Sequence, residues 1–397
     1  MKPILRFTNF DNDWEEIELL KIASEISYGM NAASKEYDGE NKYIRITDID
    51  EQTNKYTHKN IVSPDGDLEE KFLVKENDIL FARTGASTGK TYLYDKNDGK
   101  LYYAGFLIKA NIINHNANFI FQQTKLNKYN NWVKIMSMRS GQPGINSQEY
   151  GSYKFSITSP KEENKVSNFL SLLDKKIELQ SKKIEDLKLF KKGLIDKVID
   201  NLTKYKEIQL GELGETYSGL SGKTKEDFEK GESHYIPFVA ILNNKINTNL
   251  LPIVKIDKNE MQNEVRQYDL FFNTSSETLN EVGLCSTLNN DIKNTYLNSF
   301  CFGYRIRNLK EINNEYLNIL LHSSIFRKKI SVLGQGFTRV NISKNKLMEI
   351  KVLVPSYREQ LKIVSIINME SNKLSLEENK LLKLQELKKG LMQSMFV

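Results

Sequence analysis

The sequence predicts an α+β protein built twice: two similar globular halves separated by two long antiparallel coiled-coil helices, related by a pseudo-two-fold internal repeat. Three observations carry this: internal similarity at offsets of 191 to 197 residues, short β-branched and aromatic runs broken by turn residues in both halves, and two stretches with a 3.5-residue apolar period.

The repeat begins early. Ile17-Glu-Leu-Leu matches Ile208-Gln-Leu-Gly, and Lys75-Glu-Asn-Asp-Ile-Leu-Phe81 matches Arg266-Gln-Tyr-Asp-Leu-Phe-Phe272, both at 191, placing Asp78 on Asp269. Asn146 falls on Asn341 and Pro160 on Pro355 at 195, and Phe190-Lys-Lys-Gly-Leu194 meets Leu387-Lys-Lys-Gly-Leu391 at 197. The drift implies small loop insertions inside one duplicated unit. Runs such as Lys42-Tyr-Ile-Arg-Ile-Thr47 and Phe302-Gly-Tyr-Arg-Ile-Arg307 give each half a small, mostly antiparallel sheet.

After each proline the pattern turns to heptads. The first helix places Val166, Leu170, Leu173, Ile177, Ile184, Leu187, Leu194 and Val198 on one seam, interrupted by Gln180 and Lys191. The second places Ile363, Ile367, Leu374, Leu381, Leu384, Leu391 and Met395 there, interrupted by Glu370, Glu377 and Lys388. Helix one ends at the second half and helix two carries the chain away from it, so paired helices must run antiparallel. At about 1.5 Å per residue, roughly 40 residues make a bar of about 60 Å with a head at each end. The expected organisation is a first head over 1–160, a long helix over 161–205, a second head over 206–355 and a second long helix over 356–397.

Composition narrows the class. With 397 residues and 39% hydrophobic content the chain can bury real cores. No apolar stretch approaches about 18 residues and no leader pattern opens the chain, so a soluble cytoplasmic protein with no membrane partner is expected. The net charge of +6 rests on Lys, since only ten of 57 basic residues are Arg. From 161 to 204 there are 11 Lys against 8 Asp and Glu, so +3 of the +6 sits on the first helix. Cys285 and Cys301 read as small core residues.

No catalytic signature has workable spacing. Gly85-Ala-Ser-Thr-Gly-Lys-Thr91 has three residues between its glycines where a phosphate-binding loop needs about four. Pro64-Asp65 and Glu69-Glu-Lys71 crowd one turn, too close for a nuclease metal site. There is no G-x-G-x-x-G, and His58, His115, His234 and His322 are scattered. The expectation is a non-catalytic chain with no cofactor and no metal of its own. What remains is a binding module made twice. The candidate DNA-contacting residues are Arg83, Thr84, Ser87, Lys90, Arg139 and Gln142 in the first half, and Gln335 and Arg339 in the second. Arg and Gln offer the paired donor and acceptor geometry that reads base edges, while Lys mainly holds phosphates. The loops around 141–146 and 334–341 differ while their flanks agree, so the halves would read different sequences.

This arrangement resembles the DNA-specificity subunit of type I restriction-modification systems along essentially the whole chain. The resemblance rests on Trp14-Glu-Glu-Ile-Glu-Leu, Asn77-Asp-Ile-Leu-Phe-Ala-Arg-Thr-Gly-Ala-Ser-Thr-Gly89 and Gly144-Ile-Asn-Ser147. It rests also on Leu173-Asp-Lys-Lys-Ile-Glu-Leu179 with Lys191-Lys-Gly-Leu194, and Arg358-Glu-Gln-Leu-Lys-Ile363 with Lys388-Lys-Gly-Leu391. It implies two target-recognition domains, each reading half of a bipartite site in double-stranded DNA, with the helices as a ruler. It also implies recruitment of two methyltransferase subunits and of restriction subunits, the partners carrying S-adenosylmethionine, ATP and Mg²⁺. Two departures stand out: Ser159-Pro-Lys-Glu-Glu-Asn164 in place of Pro-x-x-x-Glu-Gln, and Asn273-Thr-Ser-Ser-Glu-Thr278 where a second Thr-Gly-Ala-Ser loop would stand. The alternative is a non-catalytic coiled-coil adaptor or scaffold whose heads bind protein or glycan. A third reading, an NTP hydrolase using 85–91, requires nucleotide binding by the isolated chain.

Overall fold

The computed structural model describes residues 1–138, 142–202, 205–336 and 338–397. Two compact units emerge, one made of Met1–Gln180 with Lys380–Val397, the other of Ser181–Asn379. The long helices, Pro160–Asp200 and Tyr357–Met395, are each divided between the units, so each head carries its own stretch of both.

The first unit is built on a four-stranded antiparallel sheet of β1 (Ala23–Tyr28), β2 (Asp78–Ala82), β3 (Thr91–Leu93) and β4 (Leu107–Ile112), in the order β1-β4-β2-β3. Strand β2 is an unbroken apolar run after its Asp, the pattern of a strand covered on both faces. Accordingly Ile79 and Phe81 enter a core with Phe119, Ile120, Tyr150 and Val166. Leu80 and Ala82 point the other way, onto Ile44, Tyr92 and Tyr103. The second unit repeats this with β5 (Gly214–Ser218), β6 (Leu270–Asn273), β7 (Cys285–Thr287) and β8 (Cys301–Ile306), ordered β5-β8-β6-β7. There Leu270 and Phe272 face the helices, and Phe271 faces Ile236 and Leu297.

The match of Asp78 with Asp269 is a matter of backbone. Each carboxylate closes the turn into its central strand, accepting from the N–H of Lys75 at 2.7 Å or of Arg266 at 2.8 Å. The residue before each Asp is left-handed, Asn77 at φ 69° and Tyr268 at φ 71°. Asn tolerates that conformation, whereas Tyr is strained in it.

The matches at 195 need correction. Ile145 N–H donates to Arg83 O, and Ile342 N–H donates to Thr274 O, each at 2.9 Å, so Ile145 corresponds to Ile342 at 197. Asn146 then corresponds to Ser343, both N-caps of the following helices, rather than to Asn341. Pro160 likewise corresponds to Tyr357, because Glu162 and Glu163 N–H donate to Ser159 O while Glu359 and Gln360 N–H donate to Ser356 O. The offset therefore rises in steps. It is 191 through β2 and β6, becomes 194 once the following loop has lengthened, and is 197 from Asn116 and Asn313 to the end.

The long helices pair antiparallel within each unit. In the first, Val166 and Leu170, early on helix one, share a core with Met392 and Met395, late on helix two, and Asp174 pairs with Lys388. In the second, Ile199 shares a core with Ile363 and Ile367, and Lys183 and Lys188 pair with Glu377 and Glu378 at 2.6 and 2.9 Å. Of the expected seam, Val166, Leu170, Leu173, Ile184, Ile363, Ile367 and Met395 are buried. Ile177, Leu187, Leu194, Leu374, Leu381, Leu384 and Leu391 are half-buried, and none is exposed. The departure at the first helix start is neutral in structure: Glu163 takes the N–H of Asn116 at 2.9 Å, as Gln360 takes that of Asn313 at 2.8 Å.

Candidate nucleic-acid interface

In the first head, the segment after β2 pairs with the one before helix Ser147–Ser152. Thr84 bridges Gly144, and Gly85 N–H donates to Pro143 O at 3.0 Å. These bonds bring Arg83, Thr84, Ser87 and Gln142, distant in sequence, onto one rim. Gln142 is exposed there, and the other three are partly accessible. The Arg83 guanidinium lies 4.8 Å over the Tyr28 ring, a stack that holds its donor fork in place. Lys90 is turned inward: only 13% exposed, it donates to Ile49 O at 3.2 Å and reaches Glu51 at 3.4 Å. Arg139 lies outside the described residues.

The second head forms the same rim from other residues. Ser275 pairs with Asn341 and Ser276 with Val340, while Gln335 and Asn341 exchange backbone bonds of 2.9 and 2.8 Å. Gln335 and Arg339 are exposed around this tip. The loop at 275–284 is three residues longer than 84–90, yet it returns to the same anchor. Gly89 and Gly283 both take positive φ, 90° and 66°, and a Cβ there would strike Val133 at 2.5 Å or Ile330 at 2.7 Å. A shared frame thus carries two different loops, which resolves the departure at 273–278.

The sequence did not reveal what clamps these loops. Tyr129 Oη donates to Gly89 O at 3.1 Å. In the second head Arg327 donates to Asn280, Val282 and Gly283 carbonyls at 3.0, 2.6 and 3.0 Å, its guanidinium pKa lowered by burial. Scarcity of Arg was the one available signal. The cysteines are core groups, burial pushing both thiols up to about 12. Asp65 faces Lys35 at 3.9 Å and Glu69 faces Lys71 at 2.7 Å, as exposed ion pairs. Among the described residues no three His, Cys, Asp or Glu are grouped to hold a metal ion, and no helix is long and apolar enough to cross a membrane.

A family model described as the type I restriction modification DNA specificity domain matches residues 12–189 and again 203–386. The chain belongs to the type I restriction-modification DNA-specificity family. Its function is that of a specificity subunit of such a system. It is 21% identical over 344 residues to the type I restriction enzyme MjaVIII specificity subunit of Methanocaldococcus jannaschii, covering 81% of this chain and 79% of that one. The fold is similar to that of the type I restriction-modification S subunit from M. genitalium, with TM-score 0.59, 17% identity, and 100% and 99% of the two chains covered. It is also similar to a chain from a structure addressing complex assembly and conformational transition of the type I R-M system, with TM-score 0.61, 16% identity, and 96% and 97% covered. The two family-model matches fall one on each half of the repeat, so each of the two differing rims belongs to one specificity domain.

Proposed function

We propose that this specificity subunit reads a bipartite site in double-stranded DNA, one half-site per head, and catalyses no reaction itself. The observation that carries the reading is the pair of rims: one backbone frame, presenting Arg83 and Gln142 in one head and Gln335 and Arg339 in the other. Arg matches guanine edges and Gln adenine edges, so different sets on equal frames specify different half-sites. The chain acts in the cytoplasm, within a complex holding two methyltransferase subunits and, for cleavage, restriction subunits. S-adenosylmethionine, ATP and Mg²⁺ are carried by those partners.

Recruitment of two like partners is supported by a second repeated surface. Phe169, Leu172 and Leu179 on helix one are 36%, 68% and 59% exposed, and Ile366, Met369 and Leu376, each 197 residues on, are 47%, 68% and 70% exposed. Phe169 packs edge-on to Phe7 at 5.9 Å, but Leu172, Leu179, Met369 and Leu376 are left largely in water at matched places, which suits two copies of one protein partner.

The test is duplex binding by the full chain assembled with its methyltransferase, titrated with salt. Log affinity should fall steeply with log salt, about 0.9 per phosphate contact. Selection from a randomised duplex library should enrich two short sequences around an unread spacer. Salt-insensitive binding with no enriched sequence would leave the scaffold reading in possession.

A further inference from the structure

Phe106 and Phe300 stand at the same place in the two heads, in the turn leading into β4 and β8. They are 64% and 56% exposed, among the most exposed aromatic rings of the described residues. Neither ring enters an aromatic pair among the described residues. Both turns are braced against the recognition rims. Arg83 N–H donates to Phe106 O at 3.0 Å, and Thr274 donates to Phe300 O through N–H at 3.1 Å and Oγ1 at 2.8 Å. Gly105 N–H donates to Met30 O at 2.7 Å, and Phe300 N–H to Asn298 Oδ1 at 2.9 Å. Close backbone approach tightens each turn further, since a Cβ on Gly29 would lie 2.3 Å from Ala104 O and one on Gly219 2.2 Å from Asn298 O.

The neighbouring positions have diverged. Arg83 corresponds to Thr274, and the adjoining loop differs by three residues, yet the exposed Phe is kept in both repeats. A second matched pair of exposed aliphatics, Ile135 at 65% and Val332 at 83%, lies two residues beyond the Val133 and Ile330 contacts to Gly89 and Gly283. An exposed ring on a rigid turn has little order left to lose on binding, and its apolar surface has a partner only in the complex.

We infer that Phe106 and Phe300 are the apolar base contacts of the two heads, each ring burying itself against a nucleobase of its own half-site while the flanking Arg and Gln donors read edges. The inference rests on the proposed reading of DNA by these rims. The partner chemistry is the apolar part of a base, either a thymine methyl in the groove or a base face exposed at an opened step.

The test compares wild type, F106A and F300A, each as the full chain with its methyltransferase, on a randomised duplex library and on the duplex that wild type selects. F106A should lose preference within one half-site and F300A within the other. Each should weaken the selected duplex about ten- to a hundred-fold, with binding to an unselected duplex unchanged. Uracil in place of thymine reproducing the loss identifies a methyl contact, and 2-aminopurine brightening that vanishes in the variant identifies a ring at an opened step. The assignment is overturned if both variants select the wild-type sequence at wild-type affinity, weaken all duplexes alike, or act only by losing the methyltransferase. If wild type itself enriches no sequence, the DNA-reading function fails instead.

Discussion

Asp269 accepts bonds from both arms of Arg305 at 2.9 and 2.8 Å, from Tyr217 Oη at 2.6 Å and from the Arg266 backbone. Among the described residues Asp78, in the matched turn of the first head, accepts hydrogen bonds only from the Lys75 backbone and Asn111 Nδ2 at 2.8 Å, and burial raises its pKa against the nearby Lys109 charge. Removing Asp269 strands a partly buried guanidinium, so Asp269→Ala should cost on the order of 3 kcal/mol. Asp78→Ala should cost nearer 1 to 2 kcal/mol, about the value of two neutral-donor bonds at a buried group. Urea denaturation of the full chain, followed by unit-specific probes, reads the difference; equal costs would contradict the account. His322 gives a pH signature. Burial lowers its pKa to about 4, outweighing the opposite pull of the Nδ1 N–H donated to Asn318 O at 2.8 Å, so it is neutral in the native state near pH 7. Between pH 6.5 and 4 the unfolded chain takes up a proton that the native one refuses. Stability should therefore fall as pH drops through that window, with a limiting slope of about 1.4 kcal/mol per unit for this group, and be unaffected by it above pH 6.5. His322→Gln should flatten the slope; an unaltered slope would refute the assignment. At the rim, Arg83→Ala should relax discrimination at one half-site by about 1 to 3 kcal/mol if it reads a base. A loss uniform across sequences would mark a phosphate contact.

At the scale of elements, the long helices finish each head as well as joining the chain. Phe396, 6% exposed, packs its ring on Trp14 at 6.1 Å and Phe119 at 5.2 Å, closing the first head's core from the far end of the sequence. Phe396→Ala should cost about 3 kcal/mol there and leave the second head untouched. Hydrogen exchange should quicken over 1–180 and not over 181–379. The strands and helices were legible because their signals are local: the apolar runs of β2 and β6, and the heptads. The rims were only half legible. Arg83, Gln142, Gln335 and Arg339 could be named from side-chain chemistry, but Lys90 is folded inward by bonds to the backbone at Ile49, which no spacing foretells. Tyr129 and Arg327 act on loop carbonyls that only tertiary structure brings to them. The pairings at 195 followed letters within diverging loops, whereas the retained feature was the capping position held by Asn146 and Ser343.

For the molecule as a whole, the repeat is carried in three grades of fidelity. The central strands, the turn carboxylates and the N-cap positions of the helices correspond residue for residue, the rims share only a backbone, and the side chains on them differ. That gradation suits a protein whose frame is common and whose reading is not. If the helices set the separation of the half-sites, one heptad inserted at matched points in both adds about 10 Å of helix. The unread spacer should then grow by about three base pairs, or binding should be lost. Library selection with the inserted variant decides it, and an unchanged spacer would sink the ruler role.

The division of the chain also governs its birth. The second unit is one continuous stretch, Ser181–Asn379, whereas the first needs Lys380–Val397 to complete it. A nascent chain holding residues 1–180 still lacks Met392, Met395 and Phe396, so Trp14, Phe119 and Val166 wait with one side uncovered. At about 5 to 20 residues per second, the wait lasts roughly ten to forty seconds. The head made first is therefore the head finished last, and it spends that interval as the aggregation-prone part of the polypeptide on the ribosome.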